Sequence, residues 1–192
     1  MPPAASALPE GSRPRWPRNP LFVGRDDELR FLAAALKGDG PAAGGQTAGI
    51  TGLGGMGKTQ LAVEFAHRYG PYFAGGVFWL SFAQPDLIET EIAACGLKMG
   101  EMPDDYAELD LPAQVLLVQR AWERPLPRLL IFDNCEDEAL LQRYRPVSGG
   151  CRVLVTSRRQ ACTCWCWRHC RAPKASSCCA SFAPIYRRPA RS

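Results

Sequence analysis

No apolar run in the 192 residues approaches the roughly 18–20 that a membrane span needs, which excludes a spanning helix within this chain. The first twenty residues, MPPAASALPEGSRPRWPRNP, lack the continuous apolar core of a signal peptide and contain six prolines. They read as a disordered leader, residues 1–20, ahead of a body whose default location is the cytoplasm. Acidic side chains stop at Glu138: residues 1–138 hold 19 of them against 12 Lys and Arg, while residues 139–192 hold eleven basic side chains and no acidic one. Such a basic tail can attract nucleic acid or acidic surfaces, but no recognisable binding module accompanies it, so nucleic acid is not an expected partner. No internal repeat is visible either. What remains, 46% hydrophobic and 22% charged residues in a chain of this length, is one soluble globular domain with a real core.

The most telling segment is Gly52-Leu-Gly-Gly-Met-Gly-Lys-Thr59, which fits G-x-x-x-x-G-K-[ST] at every fixed position. Glycine tolerates the dihedrals that aim successive amides inward, so this loop can wrap a di- or triphosphate. Lys58 is then placed for the β- and γ-phosphates, and the Thr59 hydroxyl for Mg²⁺. The context agrees. Gln46 to Thr51 is a short, mostly apolar run suited to a buried parallel strand. From Lys58 the chain reads KTQLAVEFAHRY, with Leu61, Ala62, Phe65 and Ala66 on one helical face. Strand, glycine loop and helix in that order set the phosphates on a helix N-terminus, where dipole and free amides favour anions.

The rest of the chain alternates in the same way. Asp26 or Asp27 can cap a helix to about Lys37, with Leu29, Leu32 and Leu36 inward. A Gly/Ala-rich connector, residues 38–45, leads to the first strand. Val77 to Phe82 reads as a second strand, residues 84–97 as a helix and 98–109 as an acidic connector. Asp110 to Trp122 is an amphipathic helix, Leu129 to Asp133 a third strand, Glu136 to Arg143 a short helix and Cys151 to Thr156 a fourth strand. This α/β pattern predicts a parallel sheet covered on both faces, a three-layer sandwich.

A phosphate loop needs a carboxylate for the Mg²⁺ shell, usually at the end of an apolar strand, and Asp133 closes LLIFD. The plainer alternative is a strand-end aspartate capping the helix that follows. Asn134 stands where fast-hydrolysing enzymes tend to have Glu; an amide can orient water but cannot take its proton. Glu136, two residues further, need not point the same way, so slow hydrolysis is expected. Arg158, in Thr156-Ser157-Arg158, is placed to detect a γ-phosphate, or else is a surface arginine beside Arg159.

Together these motifs resemble the NB-ARC nucleotide-binding domain of the STAND signalling ATPases, relatives of the AAA+ proteins. The family's F-V-G-R-x-x-E-L stands at Phe22 to Leu29, its phosphate loop at Gly52 to Thr59, its apolar Walker B strand ends at Asp133, and its T-[ST]-R is Thr156 to Arg158. The resemblance spans residues 21–159. It implies a P-loop NTPase sheet of order 5-1-4-3-2, with Val23 and Arg25 near the adenine of ATP or ADP. The bound nucleotide would be held by Gly52, Leu53, Gly54, Gly55, Met56, Gly57, Lys58, Thr59 and Gln60. Lys58, Asp133, Asn134 and Arg158 would carry any catalysis, and Thr59 and Asp133 the Mg²⁺. An ADP-bound resting state and ATP-driven self-association of the longer protein are further implications. The family's fifth strand, Gly-x-Pro helical domain and winged helix have no counterpart here, and Gln60 stands where many relatives have a second Thr.

Residues 160–192 are a different kind of sequence, with six of the nine cysteines between Cys162 and Cys179. Cys162, Cys164, Cys166, His169 and Cys170 are too crowded for the usual separated pairs of a zinc site. A disulfide framework conflicts with a cytoplasmic body. An out-of-frame stretch of a GC-rich gene beyond Arg159 accounts for the abrupt change best. Its loss of the fifth strand would leave the phosphate-loop strand at an open edge, with weak nucleotide binding and a tendency to aggregate. Three functions follow: an adenine-nucleotide switch module, a non-functional remnant of one, or a stand-alone P-loop kinase. The kinase needs lid arginines, and residues 98–127 supply only Arg120 and Arg124.

Overall fold

The computed structural model of the chain describes residues 1–37 and 47–158. The connector at 38–45, Gln46 of the expected first strand and the readings of the tail from Arg159 onward lie outside the described residues. So does the fifth strand implied by the resemblance.

Alternation of helix and strand gives α1 (Asp26–Lys37), β1 (Thr47–Thr51), α2 (Lys58–Tyr69), β2 (Val77–Ser81), α3 (Ile88–Gly96), α4 (Leu111–Trp122), β3 (Leu129–Asp133), α5 (Glu138–Tyr144) and β4 (Arg152–Ser157). Among the described residues the sheet is four-stranded in the order β1-β4-β3-β2, every pair parallel. That is the order 1-4-3-2 expected of a P-loop NTPase sandwich. β4, late in the sequence, lies beside β1 with Thr51 opposite Ser157, which brings the Thr156-Ser157-Arg158 end next to the phosphate loop.

The period-2 alternation of the strands sorts their side chains into two cores. Ala48, Ile50, Val77, Trp79, Leu129, Ile131 and Leu154 face α1 and α2. Phe78, Leu80, Leu130, Phe132, Val153 and Val155 face α3, α4 and α5 on the other side. Strands buried on both faces must read as continuous apolar runs, which is why VFWL and LLIF carry no polar position. Asp110 begins α4 by accepting from the Ala113 amide at 2.9 Å, and Asp137 begins α5 by accepting from Ala139 at 2.7 Å. At α1 the expected cap is displaced: Asp26 and Asp27 lie in the first turn, where they favour the helix dipole, and Arg25 precedes them at φ 60°. The helix expected at 84–97 is a 3₁₀ turn, Pro85–Leu87, followed by α3.

The leader departs most from expectation. Instead of a disordered tail, residues 1–20 run along the molecule. Arg13 forms a parallel bridge to Phe78, its amide donating to Val77 O at 2.8 Å and its carbonyl accepting from Trp79 N at 3.0 Å. The Val77 amide in turn donates to Ser12 Oγ at 3.0 Å. Further on, the Arg18 guanidinium grips both oxygens of Glu64, at 3.0 and 2.9 Å, on α2. The physical reason is that β2 is an edge strand with backbone groups to satisfy, and an extended proline-rich segment can satisfy them without forming a regular strand. Composition argued for disorder because it counts apolar residues and takes no account of a sheet edge awaiting a partner.

Candidate functional site

The site is built where three chain segments meet at the C-terminal ends of the parallel strands. In the loop after β1, Gly52, Gly55 and Gly57 have φ of 143°, 78° and 72°, values that side chains with a Cβ rarely adopt. A Cβ built at Gly54 or Gly55 would meet nothing within 4 Å, so the crown of the loop faces open space. Gly57 precedes α2 directly, and the first amides of that helix have no partner within it. Leu53, Gly54, Gly55, Met56 and Gln60 are exposed, while Gly52, Gly57, Lys58 and Thr59 are half-buried.

Lys58 folds its ammonium back over the loop and donates to Gly52 O at 2.8 Å and Leu53 O at 2.9 Å. Its pKa is lowered, chiefly by burial and then by the like charge of Arg158, against the opposing pull of Glu136 and Asp133. Those four charged groups therefore share one small region. The Arg25 guanidinium touches the loop: Nη1 donates to Met56 O at 3.1 Å and Nε lies 3.4 Å from Glu28 Oε1. Val23 is 84% exposed, two residues before Arg25.

Asp133 Oδ1 is the hub of the second segment. It accepts from Thr59 Oγ1 at 3.3 Å and from Thr156 Oγ1 at 2.5 Å. Asn134, at φ 59°, turns the chain sharply after β3, and its amide donates to Thr156 Oγ1 at 2.9 Å. The Cys135 amide then donates to Thr156 O at 2.9 Å. This turn brings Glu136 round to the end of β4, where Oε2 accepts from Ser157 Oγ at 3.0 Å and Oε1 from the Arg158 amide at 2.7 Å. Spacing along the chain does not by itself point Glu136 in that direction. The signal was there in Asn134, one of the residue types that tolerate the left-handed region, two positions before the glutamate.

The structure thus brings together Lys58, Thr59, Asp133, Asn134, Thr156 and Arg158, with Arg25 touching the loop from the side. Its open glycine crown, helix N-terminus, lysine and paired hydroxyl and carboxylate fit a polyphosphate with a divalent cation. Hard oxygen donors such as Thr59 and Asp133 suit Mg²⁺. No helix among the described residues is long and apolar enough to cross a membrane.

The chain is 31% identical over 150 residues to the regulatory protein AfsR of Streptomyces coelicolor and 30% identical over 150 residues to AfsR of Streptomyces griseus. Those alignments take in 71% and 72% of this chain and 14% of each relative. It is also 31% identical over 136 residues to a nucleotide-binding leucine-rich repeat (NLR)-like protein of Hyaloscypha variabilis, with 69% of this chain and 13% of that protein aligned. The chain matches no protein-family model. The chain therefore spans only 13–14% of the length of these three proteins, at about 30% identity.

Proposed function

We propose that residues 21–159 form an adenine-nucleotide-binding switch module of the NB-ARC type, the nucleotide-handling part of a STAND-like signalling ATPase. The observation that carries this reading is the 3.3 Å approach of Thr59 Oγ1 to Asp133 Oδ1 at the foot of a glycine-rich phosphate loop. A chance loop has no reason to meet a strand-end carboxylate from the far half of the chain. The AfsR and NLR-like similarities support it from a second direction.

In this reading the loop amides and the start of α2 cradle the phosphates, and Lys58 exchanges its two loop carbonyls for phosphate oxygens. Thr59 and Asp133 hold Mg²⁺, which neutralises phosphate charge. Val23 and Arg25 border the adenine, and Arg158 faces the terminal phosphate. Asn134 orients water without accepting its proton, so hydrolysis is slow and the module holds its nucleotide as a state marker. Self-association on ATP binding belongs to the longer protein. A stand-alone kinase is the weaker reading, since Arg124, one of its two available lid arginines, is paired with Glu101 at 2.6 Å.

The test is binding of a fluorescent ADP or ATP analogue to the purified full chain, with and without Mg²⁺, with Lys58→Ala as control. Saturable binding that Lys58→Ala weakens by 10-fold or more, about 1.4 kcal/mol, is the expected result. Equal signals from the two proteins would reject the module and favour a remnant that handles no nucleotide.

A further inference from the structure

The turn after β3 holds a carboxylate that the proposed nucleotide chemistry does not use. Glu136 spans the end of β4 with both oxygens, one on the Ser157 hydroxyl at 3.0 Å and one on the Arg158 amide at 2.7 Å. Three further hydrogen bonds tie this turn and its strand end to the same stretch, Thr156 to Asp133, Asn134 to Thr156 and Cys135 to Thr156, while Thr59 joins Asp133 to the start of α2. Cys135, between the two carboxylates, is fully buried and anchors the turn in the core. The backbone at Arg158, the last described residue, is therefore held to the turn after β3. Its last fixed point before the exposed Arg158 side chain is the amide that Glu136 holds.

From this geometry we infer that Glu136 is a positioning residue for triphosphate recognition, fixing the backbone of Arg158 so that its guanidinium stays beside the phosphate loop. The inference rests on the nucleotide-switch reading and deepens it by naming what aims the phosphate detector. The influence of both Arg158 and Glu136 on the Lys58 ammonium agrees with that closeness. A carboxylate suits the task better than a neutral group, because a charge-assisted hydrogen bond to a backbone amide is stronger and shorter. Glu136 also offsets the mutual repulsion of Lys58 and Arg158 while no phosphate lies between them. Both of its oxygens are engaged in holding β4, which makes it a poor base for an attacking water.

The experiment measures affinities of the full chain for ADP and for a non-hydrolysable β,γ-imido analogue of ATP, both with Mg²⁺. Wild type is compared with Glu136→Ala, Glu136→Gln, Arg158→Ala and the double variant Glu136→Ala/Arg158→Ala. Glu136→Ala is expected to lose about 10-fold in affinity for the triphosphate, the scale of one charge-assisted hydrogen bond, with ADP affinity within about twofold of wild type. Arg158→Ala should show the same selective loss, and the double variant no more than Arg158→Ala alone, because both residues act through one contact. Glu136→Gln, whose amide still accepts from Arg158 N–H and can donate to Ser157 Oγ, should retain most of the discrimination. If Glu136→Ala fails to fold, Glu136→Asp serves in its place, since one methylene less cannot span both partners. Equal weakening of both nucleotides, additive loss in the double variant, or a Glu136→Gln as impaired as Glu136→Ala would each overturn the inference while leaving the nucleotide module intact. Absence of any nucleotide binding by wild type would instead remove the reading beneath it.

Discussion

Thr156 Oγ1 stands between two residues of the β3 exit, donating to Asp133 Oδ1 at 2.5 Å while accepting from the Asn134 amide at 2.9 Å. One hydroxyl thereby sets both the direction of the carboxylate and the sharp turn that follows it. Thr156 is buried, so neither bond is easily replaced by water.

Thr156→Val keeps the shape and removes the hydroxyl. The Asn134 amide then loses its acceptor and Asp133 loses its donor. A stability loss of about 1–3 kcal/mol is expected from one orphaned buried group. Urea denaturation measures it, and a Mg²⁺ titration of nucleotide binding should show a weaker dependence on the cation. An unchanged midpoint and an unchanged Mg²⁺ response together would mean that Thr156 merely fills space.

Gly57→Ala adds a Cβ at φ 72°, the left-handed region, 3.5 Å from Arg25 Nη1. The conformational cost is about 1–2 kcal/mol, and the loop can relieve it by losing the shape that gathers its amides. Nucleotide affinity should fall by more than thermal stability does. A thermal shift assay beside the binding titration separates the two effects.

Acid sensitivity should trace to Glu64. This carboxylate is 1% exposed, and burial alone would raise its pKa, but hydrogen bonds from Arg18 and Arg68 outweigh burial and hold it below its usual value of 4.5. A depressed folded pKa contributes stability that is complete above about 4.5, the unfolded value, and is lost as pH falls through the folded value. Glu64→Gln should flatten the acid limb of a stability-against-pH curve. Arg18→Ala should destabilise at neutral pH and move the onset of acid unfolding upward.

Cys95, Cys135 and Cys151 should resist thiol reagents in the folded chain. Burial pushes their thiols up to about 12, about 12 and about 11, so almost no thiolate exists at neutral pH. Peptide-resolved mass spectrometry after brief alkylation should find these three unmodified until denaturant is added. Fast native labelling of Cys135 would mean that the turn carrying Glu136 opens readily.

The strands and helices were legible because burial on both faces forces a pattern. VFWL and LLIF can only be interior strands, and Leu29, Leu32 and Leu36 repeat at helical spacing. Sheet order was not written in periodicity; it came from the resemblance, and β4 beside β1 agrees with it. Two features escaped. The leader's docking depends on a bridge between Arg13 and Phe78, a contact across the sequence that no local window contains. The return of Glu136 to β4 depends on one left-handed residue, Asn134, whose backbone angle is a choice among several that its side chain permits.

The docked leader has a practical corollary. A trimmed version of this fold begun at the Phe22-Val-Gly-Arg25 signature would strip Ser12 and Arg13 from the outer strand and leave Glu64 with Arg68 alone. Motif borders and folding borders therefore differ here by at least ten residues, since Ser12 and Arg13 both precede Phe22. Proteins excised at the recognisable boundary would be expected to clump through a bared sheet margin even with the glycine loop and Asp133 retained.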